Sequence, residues 1–267
     1  NTLFICNFLI PSHLNLINNQ INTQMPYRRL PNTDVARIKA LKLAYLRGKE
    51  FPPFKLAFSQ VSLQRIISFL PSFEKAIMEY RQSYQTQVNK NNDYQKELKK
   101  ARLYLSHFIQ VMNMAIVRGD MPSNIREYYG LNDYKKKLPP LNSETDLIEW
   151  GDRIIKGEQL RTMKGQTPVT NPTVAVVKVR YEKFMEGHHH QKTLQKNVQR
   201  ALEHLADLRE KADSIIAAVW DEVEDHYGML SDQERRKNAE NYGVVYVFRK
   251  NEVRELSLSI NSPSEVH

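Results

Sequence analysis

The chain has 267 residues, 41% of them hydrophobic and 26% charged, with a formal net charge of +9 and a mean hydropathy of −0.58. That length gives one or two domains with a substantial core, and no apolar run is long enough to cross a bilayer. Nine glycines are too few for the tight turns of an all-β fold, and a single cysteine, Cys6, excludes an intrachain disulfide.

Residues 1–24 contain no Lys, Arg, Asp or Glu and are rich in Asn, Ile and Leu. Leu3-Phe4-Ile5-Cys6 echoes a lipobox, but Ile5 is bulky where a small residue is required. A basic start and a small-residue cleavage site are also missing. The first Met is Met25, and helical sequence follows it. The expectation is an upstream extension over 1–24, a fold beginning at Met25, and a cytoplasmic chain.

Pro26-Tyr27-Arg28-Arg29-Leu30-Pro31 is an extended lead-in, because the residue before a proline is biased away from helix. Asn32-Thr33-Asp34 supplies N-cap chemistry. A short helix follows to about Arg47, with Val35, Ile38, Leu41 and Tyr45 on one stripe and Gly48 to end it. Phe51-Pro52-Pro53-Phe54 is a rigid connector.

The first long unit spans residues 56–118. Leu63, Ile66, Leu70, Phe73, Ile77, Tyr80 and Tyr84 alternate by three and four, and Tyr94, Leu98, Ala101, Leu105, Phe108, Met112 and Ala115 continue the pattern. Such spacing lays an apolar seam along an α-helix. Pro71 predicts a kink or a restart. Asn89-Lys90-Asn91-Asn92-Asp93 has hairpin chemistry, yet steps through Gln87 and Asn91 carry the phase unbroken from Tyr84 to Tyr94. A turn has no reason to preserve phase, which favours one continuous helix over a helical hairpin.

Gly119-Asp120-Met121-Pro122 ends this unit. The connector over 123–142 contains Tyr128-Tyr129-Gly130-Leu131, Lys135-Lys136-Lys137 and Pro139-Pro140, and reads as the boundary between two halves. Ser143-Glu144-Thr145-Asp146 resembles a capping box and opens a second short helix striped by Leu147, Trp150 and Ile154. After a connector over 165–172, a second long unit spans 172–227, with Pro172 in its first turn. Leu194, Val198, Ala201, Leu205, Leu208, Ala212, Ile215 and Val219 form its seam. Ser231-Asp232-Gln233-Glu234 caps a further short helix, ended by Gly243. Val244-Val245-Tyr246-Val247-Phe248 reads as a buried strand. Leu256, Leu258 and Ile260 alternate with Ser257 and Ser259, so a hairpin through Lys250-Asn251-Glu252 would pair the two runs and would need something to pack on. Residues 262–267 read as a tail.

The predicted fold is therefore all-α, an elongated bundle of two pseudo-repeated units with a short C-terminal β segment. Each unit is a short helix plus a long heptad-patterned helix or helical hairpin. The divisions are the extension 1–24, a basic helical half 25–141, a second helical half 142–230, and a short helix, β segment and tail over 231–267. A shift of 100 residues lays Tyr94, Leu98, Ala101, Leu105 and Phe108 onto Leu194, Val198, Ala201, Leu205 and Leu208. That match fits an internal duplication, or the coincidence expected of any two heptad segments.

Charge is split between the halves. Residues 25–141 carry 21 Lys+Arg against 9 Asp+Glu, and residues 142–267 carry 18 against 21. The basic half either binds a polyanion, with Lys90, Lys96, Lys99, Lys100 and Arg102 as phosphate contacts, or is a solvated face that attracts the acidic half. No helix-turn-helix, zinc-finger or RRM signature accompanies it.

His188-His189-His190 cannot converge on one ion from a helix, where successive residues are about 100° apart; His188 falls on the seam. Glu186 and His189 match the Glu-x-x-His spacing of di-iron four-helix carboxylate proteins. That site needs a second such pair, and the sequence has none, so these two are metal candidates without a complete ligand set. Glu222 and His226 read as a surface pair, and Asp221-Glu222-Val223-Glu224-Asp225 as a solvated face near Trp220. Tyr80, Tyr84, Tyr94 and Tyr104 are either a base-stacking ladder or, for the three on the seam, seam residues with hydroxyls at the rim. No nucleophile elbow, P-loop or dinucleotide fingerprint is present, so no catalytic residue and no cofactor are expected.

The runs from Pro26 to Asp34, from Ala101 to Arg118, from Asn171 to Phe184 and from Tyr242 to Lys250 resemble a family of uncharacterised all-helical proteins of Bacteroidetes bacteria. The resemblance covers residues 25–250. It implies a fold starting at Met25 and, since the family has no assigned activity, no site. The functional expectation is a non-enzymatic helical scaffold or protein-interaction protein, whose seams complete their burial by self-association or against a partner. The alternatives are a nucleic-acid-associated protein using the basic half, and a metal-binding helical bundle.

Overall fold

The computed structural model describes residues 27–135 and 137–247. Among them the fold is all-α apart from one pair of two-residue strands. The order is β1 (Tyr27–Arg28), α1 (Asp34–Glu50), α2 (Gln60–Arg118), α3 (Arg126–Tyr129), α4 (Glu144–Met163), α5 (Val174–His226), α6 (Asp232–Glu240) and β2 (Tyr246–Val247). Both long units are single helices. α2 passes through the Asn-rich stretch without a turn, and through Pro71 without restarting. Leu70, Phe73, Ala76 and Ile77 are buried around Pro71, so packing holds the helix where the missing N–H weakens it.

The chain forms two compact units. The described parts of the first are residues 27–68 and 213–247; the second is Phe69–Ala212. The boundary expected at 141 and 142 thus falls inside the second unit, and each unit draws on both halves of the sequence.

In the first unit, β1 pairs antiparallel with β2, Tyr27 opposite Val247 and Arg28 opposite Tyr246. The extended lead-in is therefore a strand. Phe248, the hairpin expected through Lys250-Asn251-Glu252, the tail and residues 1–24 lie outside the described residues. Thr33 caps α1 by accepting from Ala36 N, as its sequence predicts. Gly48 does not end that helix. A Cβ there would stand 2.2 Å from Leu63 Cδ1, so the glycine lets α1 approach α2. The buried face of α1 is Ala40, Leu41 and Ala44, while Val35 is 65% exposed. Small residues at 40, 44 and 48 select the inner face, which a stripe of large apolar residues does not reveal.

The acidic run near Trp220 is solvated only in part, with Asp221 and Asp225 exposed and Glu222 and Glu224 half-buried. Glu222 accepts from Ser59 N and from Ser62 Oγ (2.6 Å) at the start of α2. Arg28 lies 2.6 Å from Asp221 Oδ1 and 3.0 Å from Glu224 Oε2, and the Tyr246 hydroxyl donates to Glu224. Arg37 grips Asp213 through two bonds of 2.8 and 2.9 Å. Part of the charge difference between the sequence halves is consequently used up as ion pairs within this unit.

In the second unit, α2 and α5 run antiparallel. Tyr104 meets Arg180, Tyr94 meets Phe184, and Asn91 accepts from Gln191 Nε2 at 3.2 Å. α4 starts from the predicted capping box, with Ser143 and Asp146 bonding each other's backbone. The connector expected as a boundary is core instead. Ile125, Tyr129, Leu131 and Leu141 are buried in one cluster with Leu105, Phe108, Leu147, Trp150 and Phe184. Gly157 admits α3, since a Cβ there would stand 2.4 Å from the Tyr128 carbonyl oxygen.

Candidate interaction surface

Within the second unit, α2 buries Tyr94, Leu98, Ala101, Leu105, Phe108 and Met112. Helical periodicity places Lys96, Lys99, Leu103, His107, Gln110, Met114 and Val117 on the opposite side, and all seven are exposed. The stripe is cationic at its start and apolar at its end. Lys96 pairs locally with Asp93, and Lys100 beside the stripe pairs with Glu97. Exposed pairs of this kind hold charge weakly. Lys99 has no ion pair among the described residues.

At its apolar end the stripe forms one wall of an open groove of about 500 Å³. Met114, at 59% exposure, and Val117, at 82%, line it together with Leu138, Lys135 and Lys137. Arg118 lines it too, with Nε bonded to Asp120 Oδ2 at 2.8 Å. No carboxylate is among the lining residues. Asn113 Oδ1, also on the lining, is already taken by Arg126 Nε at 3.0 Å.

Of the five predicted phosphate contacts, Lys96, Lys99 and Lys100 share the outward face. Lys90 is exposed but lies about 120° round the helix from Lys96. Arg102 is half-buried and donates to the Asn142 carbonyl at 2.7 Å. The tyrosines form no ladder. Tyr80 and Tyr84 stack at 6.3 Å, Tyr104 lies under the Arg180 guanidinium, and Tyr94 is buried. The Tyr94 hydroxyl donates to Glu144 Oε1 at 2.6 Å, and burial, then the carboxylate, push its pKa above the usual phenol value.

Glu186 and His189 are both exposed on α5. Among the described residues, no three His, Cys, Asp or Glu side chains stand close enough to hold a metal ion. His188 is half-buried between the Tyr94 and Phe184 rings, with Nε2 3.5 Å from Glu144 Oε2.

One polar cluster lies wholly inside the second unit. Tyr129, Glu158 and Arg161 are at most 1% exposed. Arg161 donates to both Glu158 oxygens at 2.9 Å and to the Tyr129 hydroxyl, Tyr129 donates to Glu158, and Val169 N donates to Glu158 Oε1 at 2.7 Å. Burial, then Glu158, push the Tyr129 pKa up. Every carboxylate oxygen is committed and the group is closed to solvent, so the cluster holds the connector against α4.

Sequence reasoning passed over Met114 and Val117 because they lie off the seam. Their spacing of three, opposite the seam, is the available signal. Comparison with protein-family models, curated protein sequences and solved structures finds no match to this chain. No helix among the described residues is long and apolar enough to cross a membrane.

Proposed function

We propose that the chain is a non-enzymatic helical protein that binds another protein through the outward face of α2, centred on the groove at its C-terminal end. The exposure of Met114 and Val117 carries this reading. Two exposed apolar side chains one turn apart, in one groove with Leu138 and three cationic side chains, mark the kind of patch that partners cover. The seams do not serve this role over residues 94–112, where they are buried by the chain's own helices. Affinity capture with wild type and with M114D/V117D tests it. The expected result is a set of proteins recovered by wild type and lost with the variant; identical recovery overturns it.

A second reading, association with nucleic acid, rests on Lys96, Lys99 and Lys100 sharing the outward face. It predicts binding to random duplex that weakens steeply with salt, and absence of binding at low salt removes it. The internal duplication belongs with these proposals. Asn91 meets Gln191, 100 residues on, as two copies related by a two-fold axis would place them.

A further inference from the structure

We infer that the partner segment received by the groove of α2 is an acidic amphipathic peptide; this rests on the interaction reading just given. The groove presents three cations, from Arg118, Lys135 and Lys137, and no carboxylate. Arg118 is shared with Asp120, whereas Lys135 and Lys137 make no ion pair among the described residues. Met114, Val117 and Leu138 line the same groove. A complementary segment carries apolar side chains at helical spacing for Met114, Val117 and Leu138, and Asp or Glu for the lysines. Affinity then comes from apolar burial, with Met114 adapting to the shape it meets. The cationic side chains steer encounter and choose the sign of the partner.

Three other occupants fit less well. A basic segment meets like charge. A nucleic acid would find cations here for its phosphates but no aromatic platform for its bases, since no aromatic side chain lines this site, and the exposed apolar groups would stay uncovered. A bilayer presents a plane, whereas these apolar groups line a groove shared by α2 with Lys135, Lys137 and Leu138.

The test is selection of a random phage-displayed peptide library on the full chain. Recovered peptides are sorted by whether they still bind M114D/V117D. Both positions are exposed, and the variant is first shown to keep its helical circular dichroism and melting temperature. The expected result is that the peptides lost on M114D/V117D are rich in Asp and Glu alongside Leu, Ile or Phe. K135E/K137E should weaken them by about ten-fold or more. Variant-sensitive peptides that are basic or uncharged overturn the acidic preference and leave the interaction surface standing. If no recovered peptide depends on Met114 and Val117, both readings fall. Phosphatidylserine vesicles that sediment with wild type but not with M114D/V117D, in place of any variant-sensitive peptide, overturn the peptide in favour of a lipid surface.

Discussion

At Glu158 a carboxylate is held out of water with each oxygen bonded by Arg161, Tyr129 or Val169 N. Removing its cation strands the charge. Arg161→Met is expected to cost about 3–5 kcal/mol, and Tyr129→Phe, which removes the bond donated to Glu158 and the bond accepted from Arg161, at least about 1.5–3 kcal/mol, both read from urea unfolding. Glu222 is a different case, because its role depends on pH. Burial alone would raise its pKa, but the bonds from Ser59 N and Ser62 Oγ outweigh that and hold the carboxyl below its ordinary value of 4.5. A depressed folded-state pKa stabilises the fold above the unfolded value, and the contribution disappears as pH falls through the folded one. Unfolding free energy measured from about pH 6 downward should therefore fall less in E222Q than in wild type. Equal slopes would refute the assignment. The Glu222 contacts were not legible in the sequence, since Ser59 and Ser62 lie 163 and 160 residues from it and no local pattern links them.

Helix identity was the most legible level, for a physical reason. A heptad phase that survives the stretch from Asn89 to Asp93 has to be satisfied by one rod, and α2 is that rod. The caps at Thr33 and Ser143 were equally readable, because a cap depends only on neighbours within three residues. What failed was the choice of buried face on α1 and the status of the 123–142 connector. Both depend on glycine and alanine permitting close approach, which hydrophobic periodicity does not register. Gly157 tests the point. Gly→Ala in a helix normally gains about 1 kcal/mol, but here the new methyl meets the Tyr128 carbonyl, a backbone atom. Gly157→Ala is expected to destabilise by about 1–3 kcal/mol in chemical denaturation. Gly187→Ala serves as the control, because its Cβ would meet only the Tyr94 ring, at 3.2 Å. A gain in stability at 157 would mean that α3 does not pack against α4 this closely.

For the molecule as a whole, the open question is whether the outward face of α2 acts as one charged surface or as two separate features. The lysines and the groove are far enough apart to decide. Lys100 and Met114 are fourteen positions apart, about 21 Å along the helix, while charge is screened over about 8 Å at physiological ionic strength. Reversing Lys96, Lys99 and Lys100 should therefore leave binding in the groove nearly intact, within about two-fold, because distant sites act independently. The same triple variant should lose most of whatever low-salt affinity a chain of net charge +9 has for random duplex, since that affinity follows the phosphates neutralised. Conversely, M114D/V117D should abolish partner capture, shift the melting temperature little because both positions are exposed, and leave any duplex binding within about two-fold. Gel mobility shift for the duplex and fluorescence anisotropy for a captured partner separate the two. If K96E/K99E/K100E eliminates partner capture as well, the partner spans the whole stripe, and an interaction confined to the groove is the wrong description of this face.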